Sequence, residues 1–265
     1  MSNKIQLPQV CILAAGQGKR MGSLAKTLNK SLFPLDRKAV LSHIIAKFPQ
    51  GTEFVIAVGN KAEQVKQYLS LAHPALLVTY VTVENYNGIG SGPGHSVLCC
   101  KEALTRAFYL VTADTLWTDD TQSFPIDKNW LAVSSIDTDE TKNYCNVILQ
   151  SDRVTEIRDK VLVTDVQSKA FTGLAFIKSK DLFWKGLVAE KTEDSKEKQL
   201  AAGFNEIVKS DVLNTIDINW TDVGTEEKYL AVAPNDLKRA LNSENEICYF
   251  VENRNLKFPL EKIEK

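Results

Sequence analysis

The chain has 265 residues, a formal net charge of −1, 44% hydrophobic and 25% charged residues. That length suits one large α/β domain, or one domain with an appendage, burying roughly 70–75% of its unfolded surface without help from disulfides or metal. Near-zero charge argues against nonspecific binding to nucleic acid or an anionic membrane, and no apolar run is long enough to span a bilayer.

Residues 1–7 carry no basic-then-apolar leader. Five cysteines, Cys11, Cys99, Cys100, Cys145 and Cys248, form an odd set without C-x-x-C spacing. Reduced thiols and a cytoplasmic location are the expectation, with no disulfide framework or zinc site.

Residues 10–13 form an apolar run of inner-strand length, ending in Ala14 and Ala15. Gly16, Gly18 and Gly22 follow, with Lys19 and Arg20 among them. Backbone N–H groups in such a turn, flanked by cations, make a concave site for phosphate. A P-loop would place Lys-Ser or Lys-Thr after its second glycine, which is absent here. The dinucleotide fingerprint wants an acid after the second strand, but residues 54–58 end in Gly59-Asn60-Lys61.

Val40, Ile44, Ile45 and Phe48 have helical spacing, as do Ala62, Val65, Tyr68 and Leu69 beyond the strand at 54–58. A third strand is expected at 76–83. Strands alternating with such helices imply right-handed crossovers and a largely parallel sheet. Gly88, Gly90, Gly92 and Gly94 then alternate through a segment too glycine-rich to pack as an element. Residues 91–95 are expected just ahead of a helix N-terminus, which favours anions and polar ligand edges. A flexible surface loop is the other reading of that segment.

The strand at 107–112 runs into Asp114, beyond the carboxyl end where open α/β sheets bind ligands. Such an acid either binds a ligand or caps the next helix. From Trp130, short strands at 131–136, 146–149, 154–157 and 171–177 suggest an antiparallel flank. Helices at 182–189 and 199–208 precede a strand at 212–218 and the run Asn219-Trp220-Thr221-Asp222-Val223-Gly224-Thr225. Thr225, ahead of Glu226 and Glu227, reads as a helix N-cap. Pro234 marks a break between a domain at 1–233 and an extension at 234–265, whose apolar run 247–251 suits a docked strand or a homodimer contact.

Leu13-Ala14-Ala15-Gly16-Gln17-Gly18-Lys19-Arg20-Met21, with Asn29-Lys30-Ser31-Leu32 after it, resembles the signature of nucleotidyltransferases that couple a nucleoside triphosphate to a sugar phosphate or similar acceptor. These are the sugar-phosphate nucleotidylyltransferases and MobA-like NTP transferases. Trp220-Thr221-Asp222-Val223-Gly224-Thr225 resembles the family's W-x-D-x-G-T motif. The likeness spans residue 10 to about 233 and is dense at four motifs.

It implies a Rossmann-like three-layer α/β/α fold of the nucleotide-diphospho-sugar transferase type, with a mostly parallel mixed sheet and an antiparallel flank. It also implies nucleotide contacts from Leu13, Ala14, Ala15, Gly16, Gly18, Lys19, Asn87, Gly92, Gly94 and His95. Arg20 and Lys30 would serve the triphosphate as catalytic cations, and Asp114 and Asp222 would bind Mg²⁺. The acceptor would meet Tyr144, Asn146, Lys160, Gly173 or Arg158. Two departures stand out: Asn29 occupies the family's proline position, and Gly92-Pro93-Gly94 replaces the commoner Gly-Thr-Ala.

The reaction implied is attack of an acceptor phosphate on the α-phosphorus, with loss of pyrophosphate. Cys99-Cys100 after Gly92-Pro93-Gly94-His95-Ser96, together with Tyr144-Cys145-Asn146-Val147, resembles cytidylyltransferases of bacterial capsule and surface-polysaccharide synthesis. These act on phosphorylated small molecules such as phosphoglutamine or phosphocholine. CTP and such an acceptor are the implied partners, without nucleic acid or membrane. A non-catalytic nucleotide-binding regulator is one alternative. A metal-dependent glycosyltransferase is another, but Asp114-Thr115-Leu116 lacks the second acid of its Asp-x-Asp.

Overall fold

A computed structural model describes residues 7–151, 153–164, 166–190 and 197–233. Its first strand, β1 (Gln9–Leu13), is buried along its whole length, as a continuous apolar run inside a parallel sheet should be. A small hairpin, β2 (Pro34–Leu35) and β3 (Lys38–Ala39), leads into α1 (Val40–Ile45). Next come β4 (Glu53–Val58), α2 (Ala62–Ala72) and β5 (Leu77–Thr82). One face of α2 buries Val65, Tyr68 and Leu69, following the i, i+3, i+4 spacing.

Pro93 opens α3 (Pro93–Cys99), because its fixed φ and missing N–H suit a first helical turn. Gly94 and His95 therefore lie within the helix, not ahead of it. β6 (Phe108–Thr112) ends at Ala113-Asp114, and β7 (Thr115–Trp117) departs from there. The second half brings β8 (Asn129–Ser134), β9 (Cys145–Gln150), β10 (Arg153–Asp159) and the ten-residue β11 (Ser168–Ile177). The described chain ends with α4 (Lys180–Ala189), α5 (Ala201–Ser210), β12 (Leu213–Asp217), β13 (Trp220–Asp222) and α6 (Glu226–Val232).

Among the described residues the main sheet has nine strands, ordered β10-β9-β11-β6-β1-β4-β5, with β8 on β11 and β12 on β8. The pairs β1–β4, β1–β6, β4–β5 and β8–β12 are parallel, while β11 runs antiparallel to β6, β8 and β9. Alternate residues of β1 face opposite cores. Val10 and Ile12 join α1, α2 and α6, whereas Cys11 and Leu13 join α3, α4 and α5. The fold is thus a three-layer α/β/α sandwich, as the resemblance implied. The third strand proves to be an edge among the described residues, with Leu77 there 53% exposed.

The sheet divides at β11. Ala170 pairs with Ser134 of β8 and Asn146 of β9, and Ala175 with Leu131 of β8 and Leu110 of β6. β9 and β6 therefore share one edge of β11 at its two ends, leaving Phe171, Thr172 and Gly173 between them. Gly173 has φ 98°, and a Cβ there would run into the hydroxyls of Thr112 and Thr115. Only glycine permits that approach. The extension at 234–265, its apolar run and the domain boundary proposed at Pro234 lie outside the described residues.

Candidate active site

The turn after β1 is shaped by left-handed backbone at Gly18 (φ 67°) and Gly22 (φ 54°), with a 3₁₀ turn at Lys19–Met21 between them. Met21 is fully buried and anchors that turn, leaving Lys19 and Arg20 exposed at the sheet's carboxyl edge. Lys19 Nζ donates to Asn87 Oδ1 at 3.1 Å and so ties the two glycine-rich segments together.

Asn29 has a larger structural role than its place in the motif suggests. It is fully buried, and its Nδ2 donates to the carbonyls of Ala14 (3.1 Å) and Asn60 (2.7 Å). Its Oδ1 accepts from the Ser31 N–H and hydroxyl, capping the 3₁₀ turn at Lys30–Leu32. One amide side chain thereby joins the ends of β1 and β4 to the segment that carries Lys30.

Lys30 Nζ lies 2.6 Å from Asp114 Oδ2. Burial alone would raise the Asp114 carboxyl. The charge and hydrogen bond of Lys30 outweigh it, with help from Thr112 and Arg20, and hold it down at about 2. Asp222 arrives from the far end of the chain through β13, which pairs antiparallel with β7 and sets Asp222 opposite Thr115. The Val223 N–H then donates to the Asp114 carbonyl at 3.1 Å.

The two carboxylates converge. A Cβ built on Gly224 would lie 2.9 Å from Asp222 Oδ1, 3.0 Å from Asp114 Oδ2 and 3.5 Å from Arg20 Nη2. Asp222 Oδ1 accepts the Gly224 N–H at 2.8 Å, and Oδ2 accepts from Tyr144 Oη and Lys228 Nζ, both at 2.9 Å. Burial and the charge of Asp114 push the Asp222 carboxyl up, against the Gly224 N–H, Arg20 and Lys30. No group of three or more His, Cys, Asp or Glu that could hold a metal ion occurs among the described residues. Two convergent carboxylates are nonetheless a fitting partial shell for Mg²⁺, a hard ion that keeps water and takes substrate phosphate oxygens. Gly224→Ala should displace both acids, since its methyl meets their carboxylate oxygens, at a modest cost in melting temperature. Its expected signature is a loss of any divalent-dependent turnover without loss of fold, read by activity assay beside thermal denaturation.

A cleft of about 1190 Å³ opens over the split in the sheet. Leu13, Ala15, Gly16, Gly18, Lys19, Arg20, Lys30, Asn87 and Gly92 line it, together with Asp114, Tyr144, Lys160, Gly173 and Asp222. Five residues assigned from sequence do not. Ala14 packs into the core, with its carbonyl taken by Asn29. Gly94 is pressed against the Lys198 and Gln199 backbone and donates to the Lys198 carbonyl at 2.9 Å. His95 Nε2 turns to Cys99 Sγ at 3.6 Å, one helical turn on. Asn146 is fully buried and donates to the carbonyls of Thr141, Tyr144 and Val161, so it shapes the loop that carries Tyr144. Arg158 pairs with Glu156 at 2.8 Å and is absent from the lining.

Sequence reading missed Glu140, Glu197, Gln199 and Lys228, which also line the cleft. Each is a polar residue in a charged stretch that reads as solvated surface. The sole sequence clue was that Lys228 stands three residues beyond the capping Thr225, whose side chain accepts from the Lys228 N–H.

This three-layer sheet, divided at Gly173, with a glycine turn and two carboxylates around one cleft, is the fold of the nucleotide-diphospho-sugar transferase type. Within it, residues 10–122 match the family model of the MobA-like NTP transferase domain. The bifunctional protein GlmU of Methanocaldococcus jannaschii is 26% identical over 219 residues, covering 80% of this chain and 50% of that protein. The chain thus spans about half the length of the curated relatives it matches. Among solved structures, UDP-glucose pyrophosphorylase complexed with UDP-glucose superposes with a TM-score of 0.72 at 17% identity, covering 88% of this chain and 100% of that one. The inositol-1-phosphate CTP transferase from T. maritima gives a TM-score of 0.68 at 16% identity, covering 88% and 94%. No described helix is long and apolar enough to cross a membrane.

Proposed function

We propose that the chain is a magnesium-dependent nucleotidyltransferase that moves a nucleoside monophosphate from a triphosphate, CTP in first place, to the phosphate of a small acceptor and releases pyrophosphate. The observation that carries this reading is the meeting of Asp114, Asp222 and Arg20 around Gly224, with Lys30 on the Asp114 carboxylate. CTP is favoured by the sequence resemblance to cytidylyltransferases, and one structural neighbour is a CTP transferase. A phosphorylated amino-acid, amino-alcohol or sugar derivative is the acceptor class the same resemblance suggests, with a role in surface-polysaccharide synthesis in the cytoplasm.

The N–H groups of the glycine turn, with Lys19 and Arg20, hold the triphosphate, and Arg20 faces the leaving pyrophosphate. Lys30 offsets charge at the α-phosphate, while Tyr144 and Lys160 face the acceptor. When bound by Asp114 and Asp222, Mg²⁺ supplies charge neutralisation and orientation of the phosphate oxygens. The protein's contribution is placement and preorganised positive charge, as in phosphoryl transfer generally.

A pyrophosphate-release screen tests this, pairing CTP, UTP, GTP, ATP and dTTP with phosphorylated sugars, polyols, amino-acid derivatives and phosphocholine in Mg²⁺. Release should need both substrates and stop with chelator. Silence across every pair, with a nucleotide bound tightly, would replace the enzyme by a nucleotide-sensing regulator.

A further inference from the structure

Lys228 belongs to none of the motifs that identify the site, yet it sits between Asp222 and Tyr144 in the cleft lining. It lies in the first turn of α6, with its side chain 34% exposed to the cleft. Its Nζ is 2.9 Å from Asp222 Oδ2 and 4.5 Å from the centroid of the Tyr144 ring. The Tyr144 hydroxyl donates to that same carboxylate oxygen, and its ring packs edge-on to Trp220 at 5.4 Å. The aromatic face therefore attracts the ammonium and restrains it beside Asp222.

Three physical points bear on what this lysine does. An ammonium has three donors on a flexible four-carbon stem, and among the described residues its hydrogen bond is the one to Asp222. A divalent ion on Asp222 would repel it from that carboxylate by like charge, and a small rotation of the stem would turn it toward the acceptor wall. That wall also carries the acid Glu140, while Lys160, its other cation, stands 4.0 Å from both Asp159 and Glu197. A phosphate dianion arriving there gains from a second cation beside Lys160.

We infer that Lys228 binds the acceptor's phosphate, taking Asp222 as its partner only while that phosphate is absent. This assignment rests on the transferase reading above and adds a substrate contact to it.

Lys228→Met keeps the stem over Tyr144 and removes the charge, and Lys228→Arg keeps the charge. With the best substrate pair from the screen, Lys228→Met should raise the acceptor KM by about 10–100-fold, the range of a lost charge-assisted hydrogen bond, and leave the nucleotide KM within about twofold. Inorganic phosphate, measured as a competitive inhibitor against the acceptor, should weaken by a similar factor, and Lys228→Arg should recover most of both losses. A fall in kcat with the acceptor KM and phosphate inhibition unchanged would make Lys228 a support for Asp222 and overturn the inference. So would wild-type kinetics in Lys228→Met. Should Lys228→Met not fold, an acceptor KM and phosphate inhibition unchanged in Lys228→Gln would overturn it equally. A wild-type enzyme silent throughout the screen refutes the transferase reading instead, and this contact with it.

Discussion

Asp114→Ala and Asp222→Ala are each expected to lower turnover by about 10²–10³-fold, the usual loss when a preorganised electrostatic partner of the reacting phosphate is removed. The two acids enter from β6 and β13 and point at one place beside Gly224, so neither replaces the other. Loss of either should also raise the Mg²⁺ concentration needed for half-maximal rate. The two variants should differ in one respect. Asp114→Ala leaves Lys30, 17% exposed, without its 2.6 Å ion pair, so it should cost some stability, whereas Asp222→Ala leaves Tyr144 and Lys228 half-buried at the cleft, where water can replace the lost carboxylate. Pyrophosphate release across a Mg²⁺ titration, with thermal melting alongside, reads both effects. Near-normal turnover in both variants would remove the metal-ligand assignment.

The second large effect is on stability. Asn29→Ala should destabilise the fold by about 2–4 kcal/mol, because it strands buried groups: the carbonyls of Ala14 and Asn60 lose a donor, and the Ser31 N–H loses its acceptor. For a domain of this size that means a fall of roughly 5–15 °C in melting temperature. Asn29→Pro, which installs the residue common in the resembling family, should be no milder. The φ of −64° suits proline, but the Asn29 N–H donates to Gln64 Oε1 at 3.0 Å, and that bond would go too. Since Asn29 sets the position of Lys30, activity should fall with stability in either variant. A melting temperature within about 2 °C of wild type would show that the region repacks without the amide.

Much of the layer arrangement was legible from apolar spacing. The inner strands were continuous apolar runs, and α2 repeated its buried positions at helical intervals. The Gly16 to Met21 turn and the Trp220 to Thr225 motif were legible because they are local, each setting its own backbone within a few residues. Thr225 as an N-cap was of this kind, and its side chain does accept from the Lys228 N–H.

Other features depended on partners remote in sequence. His95 and Gly94 stood in a glycine-rich run that looked open, but Pro93 starts the helix early and the Lys198 segment covers one side of it. Asn146 lay in a motif two residues from Tyr144, yet Asn146 sits within β9 and turns inward to three carbonyls, whereas Tyr144 precedes that strand and lines the cleft. Lys228 looked like an ordinary charged helix residue until β13, paired with β7, brought the start of its helix to the cleft.

The amino-acid sequence by itself determined the strand and helix order, the phosphate-suited turn after β1 and the identity of the two acids, since these follow from residue type and short-range spacing. Tertiary structure alone decided that the acids meet, that the sheet parts at Gly173 beneath the cleft, and which neighbouring polar groups face that opening. Those outcomes are set by pairings between segments dozens of residues apart, where register and strand order fix direction and no local pattern records it.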